Sequence, residues 1–124
     1  MAINAAQAYM NNSIQTASPA ELTLMLYNGA IKFVNIAIIA IDENDVEKAH
    51  INIRKAQNII EEFRVTLDHK YPVWEDFDRV YKYIYEKLVE GNIHKDKEAL
   101  EEALTRIREM RDTWQEVMKL TKNR

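Results

Sequence analysis

Three histidines, His50, His69 and His94, are the side chains of this 124-residue sequence best suited to proton transfer, metal ligation or phosphate transfer near neutral pH. Glu47 precedes His50 by three positions, the Glu-x-x-His spacing that sets a carboxylate and an imidazole on one helix face in di-iron bundles. Such a centre needs the fragment twice, with further glutamates from other helices. Thr66 and Gly91 stand three residues before His69 and His94, so there is no second copy and no metal or other cofactor is expected. His50 also suits phosphotransfer, since phosphotransfer domains present a histidine on a four-helix bundle. Lys and Gly usually follow at the third and fourth positions, where this chain has Ile53 and Arg54. A histidine phosphotransfer bundle therefore stands as the alternative function.

Other chemistry is poorly supplied. The chain has no cysteine, which removes disulfides, thiol catalysis and Cys-based zinc sites. The acidic pairs Glu61-Glu62 and Glu101-Glu102 fall on polar faces of helical patterns, where solubility and i,i+4 pairing account for them. No nucleophile–base spacing and no glycine-rich phosphate loop are present, so no catalytic residue is assigned and the protein is read as not an enzyme. With 17 basic and 20 acidic residues the net charge is −3, and no basic face offers itself to nucleic acid. No Lys or Arg occurs before Lys32, so a secretory signal's basic start is missing. The longest unbroken apolar run is Ile36 to Ile41, far short of the ~20 residues that span a bilayer. These features predict a soluble cytoplasmic protein without membrane insertion.

The elements that would carry any site are helical. Two glycines and two prolines, with 47% hydrophobic and 30% charged residues, suit one all-α domain over residues 1–124. The first helix, 18–42, opens on a capping box: Ser18 caps, Pro19 suits the first helical position and Glu21 lies at N3. The second, 44–70, carries Val46, Ala49, Ile53, Ala56, Ile60, Phe63 and Leu67 as one stripe, and Tyr71-Pro72 ends it. The third, 74–90, turns Phe77, Val80, Ile84 and Leu88 inward, with Tyr81 and Tyr85 at one edge and Gly91 as its terminator. The fourth, 96–121, repeats the 3,4 alternation through Leu100, Ala103, Ile107, Met110, Trp114, Val117 and Thr121. Short connections predict an antiparallel four-helix bundle. Residues 1–15, with Tyr9 and Ile14, form a short arm or a fifth helix.

The first helix carries more apolar surface than one core face needs. One stripe is Leu22, Leu26, Gly29, Phe33, Ile36 and Ala40; a second is Leu24, Tyr27, Ile31, Val34, Ile38 and Ile41. At ~100° per residue the two lie roughly 150° apart. Either this helix is enclosed by neighbours, or one stripe is a groove for a partner helix. Gly29 and Ala40 permit close helix approach, which assigns the first stripe to the core and the second to a partner. The partner would be a second copy, in a homodimeric helical module, or a different chain.

Tyr9, Ile14, TASPAEL at 16–22 and MLYNGAIKF at 25–33 resemble the N-terminal signature of the FliS family of flagellin export chaperones. Ala37, VYKYIYEKL at 80–88 and Trp114 extend the resemblance over almost the whole chain. Two positions depart from the pattern: Asn28 stands where Asp is frequent, and Gly91 precedes Asn92 where Ala is common. The resemblance implies a cytoplasmic, non-enzymatic chaperone that binds the C-terminal segment of flagellin, keeps it from polymerising and presents it to the export gate of the flagellar type III secretion system. It implies client contacts at Tyr9, Ile14, Leu24, Tyr27, Ile31, Val34 and Ile38.

Overall fold

The computed structural model describes residues 17–122; the arm, with Tyr9 and Ile14, lies outside the described residues. Within them the chain forms four helices and no strand: α1 Pro19–Asp42, α2 Val46–Thr66, α3 Trp74–His94 and α4 Lys97–Lys122. Each helix packs on the next, and α4 returns to α1, which closes a four-helix bundle.

Cross-helix contacts fix the direction of every pair. Lys97 reaches Asp42, Arg111 reaches Asn28 and Trp114 reaches Ala20, so α4 runs opposite to α1. Between α2 and α3 the pairs are Arg64–Asp78 and His50–Asn92, again opposed in direction. Gly29 meets Ile59 and Tyr27 meets Phe63 across α1 and α2. The bundle is antiparallel throughout.

The caps show why the helices begin where they do. Ser18 Oγ accepts from the Glu21 N–H at 3.2 Å, and Glu21 Oε1 accepts from the Ser18 N–H at 3.4 Å. Two of the three free N–H groups at the α1 start are thereby engaged, Pro19 having none. Asp45 does the same for α2 through the Lys48 N–H at 3.1 Å. The helix ends differ from the sequence expectation. Leu67 leaves the helical region with ψ 132°, so α2 stops at Thr66, before Tyr71-Pro72 is reached. Gly91 does not end α3: the helix runs on to His94, and Lys95 takes the left-handed cap with φ 49°. Gly91 is buried inside the helix, where Leu100 of α4 lies so close that a Cβ would sit 2.5 Å from its Cδ2.

The core joins all four helices. Ile53, Ile60, Ile84, Leu88, Leu100, Ile107 and Val34 are its largest fully enclosed side chains. Each contributes about 1.5–3 kcal/mol by leaving water. On α3, Tyr81 is buried and Phe77 is 36% exposed, reversing their expected places. Tyr81 turns inward because its hydroxyl finds a buried partner, that of Tyr27 at 2.6 Å, with the Phe63 ring packed against both. Burial pushes both phenols above their usual pKa.

On α1 the two apolar stripes prove to be the two flanks of one inward face. The deepest burial takes in Tyr27 and Val34 from the inner edge of the second stripe, Ala30 and Ala37 between the two, and Ala40 from the first. The Gly29–Phe33 flank lies against α2, where Lys55 Nζ sits 5.3 Å from the Phe33 ring centre. The flank carrying Leu24 turns toward α4. Assigning the first stripe to the core is therefore corrected: Leu26 is 36% exposed, whereas Tyr27 and Val34 of the second stripe are enclosed. The small side chains of Ala30 and Ala37 let neighbouring helices close over this face. By length and composition α1 would also suit a membrane span, but both of its flanks are occupied by other helices.

Candidate functional site

A groove of about 650 Å³ opens where the first turns of α1 meet the last turns of α4. Ser18, Ala20, Glu21 and Leu24 line it from α1; Gln115, Met118, Lys119 and Thr121 line it from α4. Leu24 and Met118 are its apolar walls, one branched and stiff, the other unbranched and adaptable. Glu21 and Lys119 bring one charge of each sign.

Local structure holds the groove in shape. The capping box ties Ser18 and Glu21 together. The Trp114 indole N–H donates to the Ala20 carbonyl at 3.0 Å, fixing α4 against the start of α1. Two turns further on, Arg111 donates to Asn28 Oδ1 at 3.2 Å. An apolar wall on rigid helices, with polar groups at fixed places, suits capture of an amphipathic segment.

The structure distributes the expected partner-facing residues unevenly. Leu24 lines the groove. Ile31 and Ile38 follow at intervals of seven along the same flank, half-buried and packed against the core cluster. Tyr27 and Val34 lie inside the bundle, at 5% and 0% exposure, with the Tyr27 hydroxyl committed to Tyr81. Gln115 and Met118, the opposite wall, are not singled out by sequence spacing: naming them requires knowing that α4 runs back beside α1. Their only sequence signal is the persistence of the α4 pattern through its final turns.

Of the three histidines, His50 and His69 have contacts within the bundle and His94 is exposed. His50 is exposed, and its Nδ1 lies 2.9 Å from Asn92 Nδ2. His69 stacks on Trp74 with ring centres 3.9 Å apart. The Ser18 hydroxyl donates to Glu21 Oε1 at 3.0 Å. Lys87, at the α3–α4 surface, bridges Glu90 and Glu102, each at 3.1 Å. No group of three or more potential metal ligands converges among the described residues.

Known proteins give the arrangement a context. A "Flagellar secretion chaperone FliS" of Bacillus subtilis (strain 168) is 42% identical over 111 residues, covering 90% of this chain and 84% of that one. Proteins of the same name in Escherichia coli (strain K12) and Salmonella typhimurium are 29% and 25% identical over 114 and 115 residues. The "Flagellar secretion chaperone FliSB" of Pseudomonas aeruginosa is 29% identical over 119 residues, 91% of this chain and 94% of that one. The family described as "Flagellar protein FliS" matches residues 2–121, a span that takes in all four helices up to the last residue and the whole groove between α1 and α4. A four-helix bundle with an apolar groove at one end is thus what this sequence pattern builds, and the chain belongs to the FliS family.

Proposed function

We infer that the protein is a flagellar secretion chaperone whose client is flagellin, and that it holds the C-terminal segment of the client by laying an amphipathic helix into the groove between α1 and α4. The observation that carries this reading is the family match over residues 2–121, joined to an apolar groove of helix-binding size. The client segment orders on binding at an expense of roughly 2–5 kcal/mol, which keeps the complex reversible. Reversibility suits a carrier that must surrender its cargo to the export gate. The reading assigns no catalysis, and it places the protein in the cytosol, where client synthesis and export begin. A second copy is the competing occupant of the same groove when the client is absent.

Leu24→Glu and Met118→Glu test the site. Each sets a carboxylate in an apolar wall that a bound helix would seal from water. Affinity for a synthetic flagellin C-terminal peptide should fall at least tenfold, with little change in melting. Ile39→Glu, at a position 56% exposed, serves as the control and should bind normally. Unchanged affinity in both groove variants would place the client elsewhere. Sedimentation with and without peptide separates the two occupants: a one-to-one complex favours the chaperone reading, and a dimer indifferent to peptide favours self-assembly.

A further inference from the structure

Polar rungs spaced seven residues apart run up the seam between α2 and α3, at 50, 57 and 64 on one helix and 78, 85 and 92 on the other. At one end His50 Nδ1 and Asn92 Nδ2 are 2.9 Å apart. At the other, Arg64 Nε donates to Asp78 Oδ1 at 2.9 Å, and its Nη2 to Oδ2 at 3.4 Å. These two rungs set a register that places Tyr85 opposite Gln57 in the middle. Gln57 is only 4% exposed, and its Oε1 has no hydrogen-bond partner among the described residues. A carbonyl oxygen buried without a partner has lost its hydration for nothing in return. Parting of the two helices would return it to water.

Two more features single out this seam. The α1–α2 seam is closed by apolar contacts, Gly29 on Ile59 and Tyr27 on Phe63. The α1–α4 seam is pinned along its length at Ala20–Trp114, Asn28–Arg111 and Asp42–Lys97. The link between α2 and α3, residues 67–73, is also longer than the links at 43–45 and 95–96, so it gives these helices slack to separate. We propose that the bundle has a second, locally parted state in which the α2–α3 seam opens ahead of global unfolding, the α1–α2 and α3–α4 hairpins swinging about the pinned α1–α4 seam. The end rungs hold the seam shut, and the unpartnered Gln57 brings the parted state close in free energy.

The absence of cysteine in the natural chain permits a clean test. Ala56→Cys on α2 and Ala40→Cys on the α2-facing flank of α1 each place a thiol at a fully buried position. Thiol labelling of the full chain under native conditions should be at least tenfold faster for Ala56→Cys, with a weaker urea dependence than global unfolding. Adding Gln57→Leu should slow labelling of Ala56→Cys about tenfold and change Ala40→Cys less. Ala49→Cys, on the same helix and also fully buried, is the replacement reporter if Ala56→Cys fails to fold. Equal labelling of the two positions with the urea dependence of global unfolding overturns the proposal. So does a labelling ratio that Gln57→Leu leaves unchanged.

Discussion

Gly91→Ala should destabilise the protein even though alanine is the better helix former. A Cβ built at Gly91 lies 2.5 Å from Leu100 Cδ2, 2.7 Å from Leu100 Cγ and 3.3 Å from the Asp96 carbonyl oxygen. Leu100 is fully enclosed, so it cannot swing aside without displacing the core around it. Overpacking of this kind costs about 1–3 kcal/mol. Alanine recovers about 0.8–1 kcal/mol of helix propensity, which leaves a net loss of about 1 kcal/mol at the middle of that range. Gly29→Ala is the matched comparison on α1. Its Cβ would meet only Ile59 Cδ1, at 3.5 Å, an ordinary contact. Propensity then acts alone, and the variant should gain up to about 1 kcal/mol. The two variants should differ by about 2 kcal/mol, or roughly 6–10 °C in Tm for a domain of this size. Urea and thermal melts followed by circular dichroism measure the difference. The double variant Gly91→Ala with Leu100→Ala should be less destabilised than the sum of its parts, because the clash disappears with the leucine. If Gly91→Ala melts at or above the wild type, the close approach of α3 and α4 at this point is wrong.

Val34→Glu should fail to fold or melt far below the wild type: the position is fully enclosed, and an unpaired buried carboxylate takes several kcal/mol from the ~5–15 available to a domain. Ile31→Glu, on a half-buried flank, should lose much less, and equal melting of the two would deny the inward line drawn along α1. The Arg64 hydrogen bond holds the Asp78 carboxyl below its ordinary pKa of 3.8. A depressed carboxylate pKa contributes stability that is present above that ordinary value and is lost as pH falls through the folded one. Asp78→Asn should therefore lower stability at neutral pH by under about 1 kcal/mol, the pair being partly solvated, and should flatten the acid limb of a stability–pH curve. An acid limb identical to that of the wild type would mean that the pair does not form in solution.

Features of the sequence are legible where they depend on neighbours in the chain. Ser18, Pro19 and Glu21 announce the α1 start because a capping box is complete within four residues. The unbroken stripe from Ala49 to Phe63 marks the buried side of α2 because one face of that helix meets the core. The α1 stripes misled for a geometric reason. A helix held between two neighbours has two apolar flanks, and the line between them is filled by Ala30 and Ala37, which a search for large side chains passes over. Gly91 misled because a glycine near a helix end usually marks a stop, whereas this one makes room for Leu100 across the bundle. Met118 and Gln115 could be placed opposite Leu24 only once the pairing of α1 with α4 was known.

The pairing of α1 with α4 also sets a timetable. Leu24 leaves the ribosome early, but the wall that faces it, Gln115 to Thr121, is made some ninety residues later. At a synthesis rate of about 5–20 residues per second, the interval is on the order of 5–20 seconds. Throughout it the apolar flank of α1 has no α4 to lie against, and the groove does not exist. On the proposed reading, a nascent chain cannot hold a client there until the last turns of α4 emerge and dock beside Ser18. The α1 flank is covered only when the chain closes its own bundle.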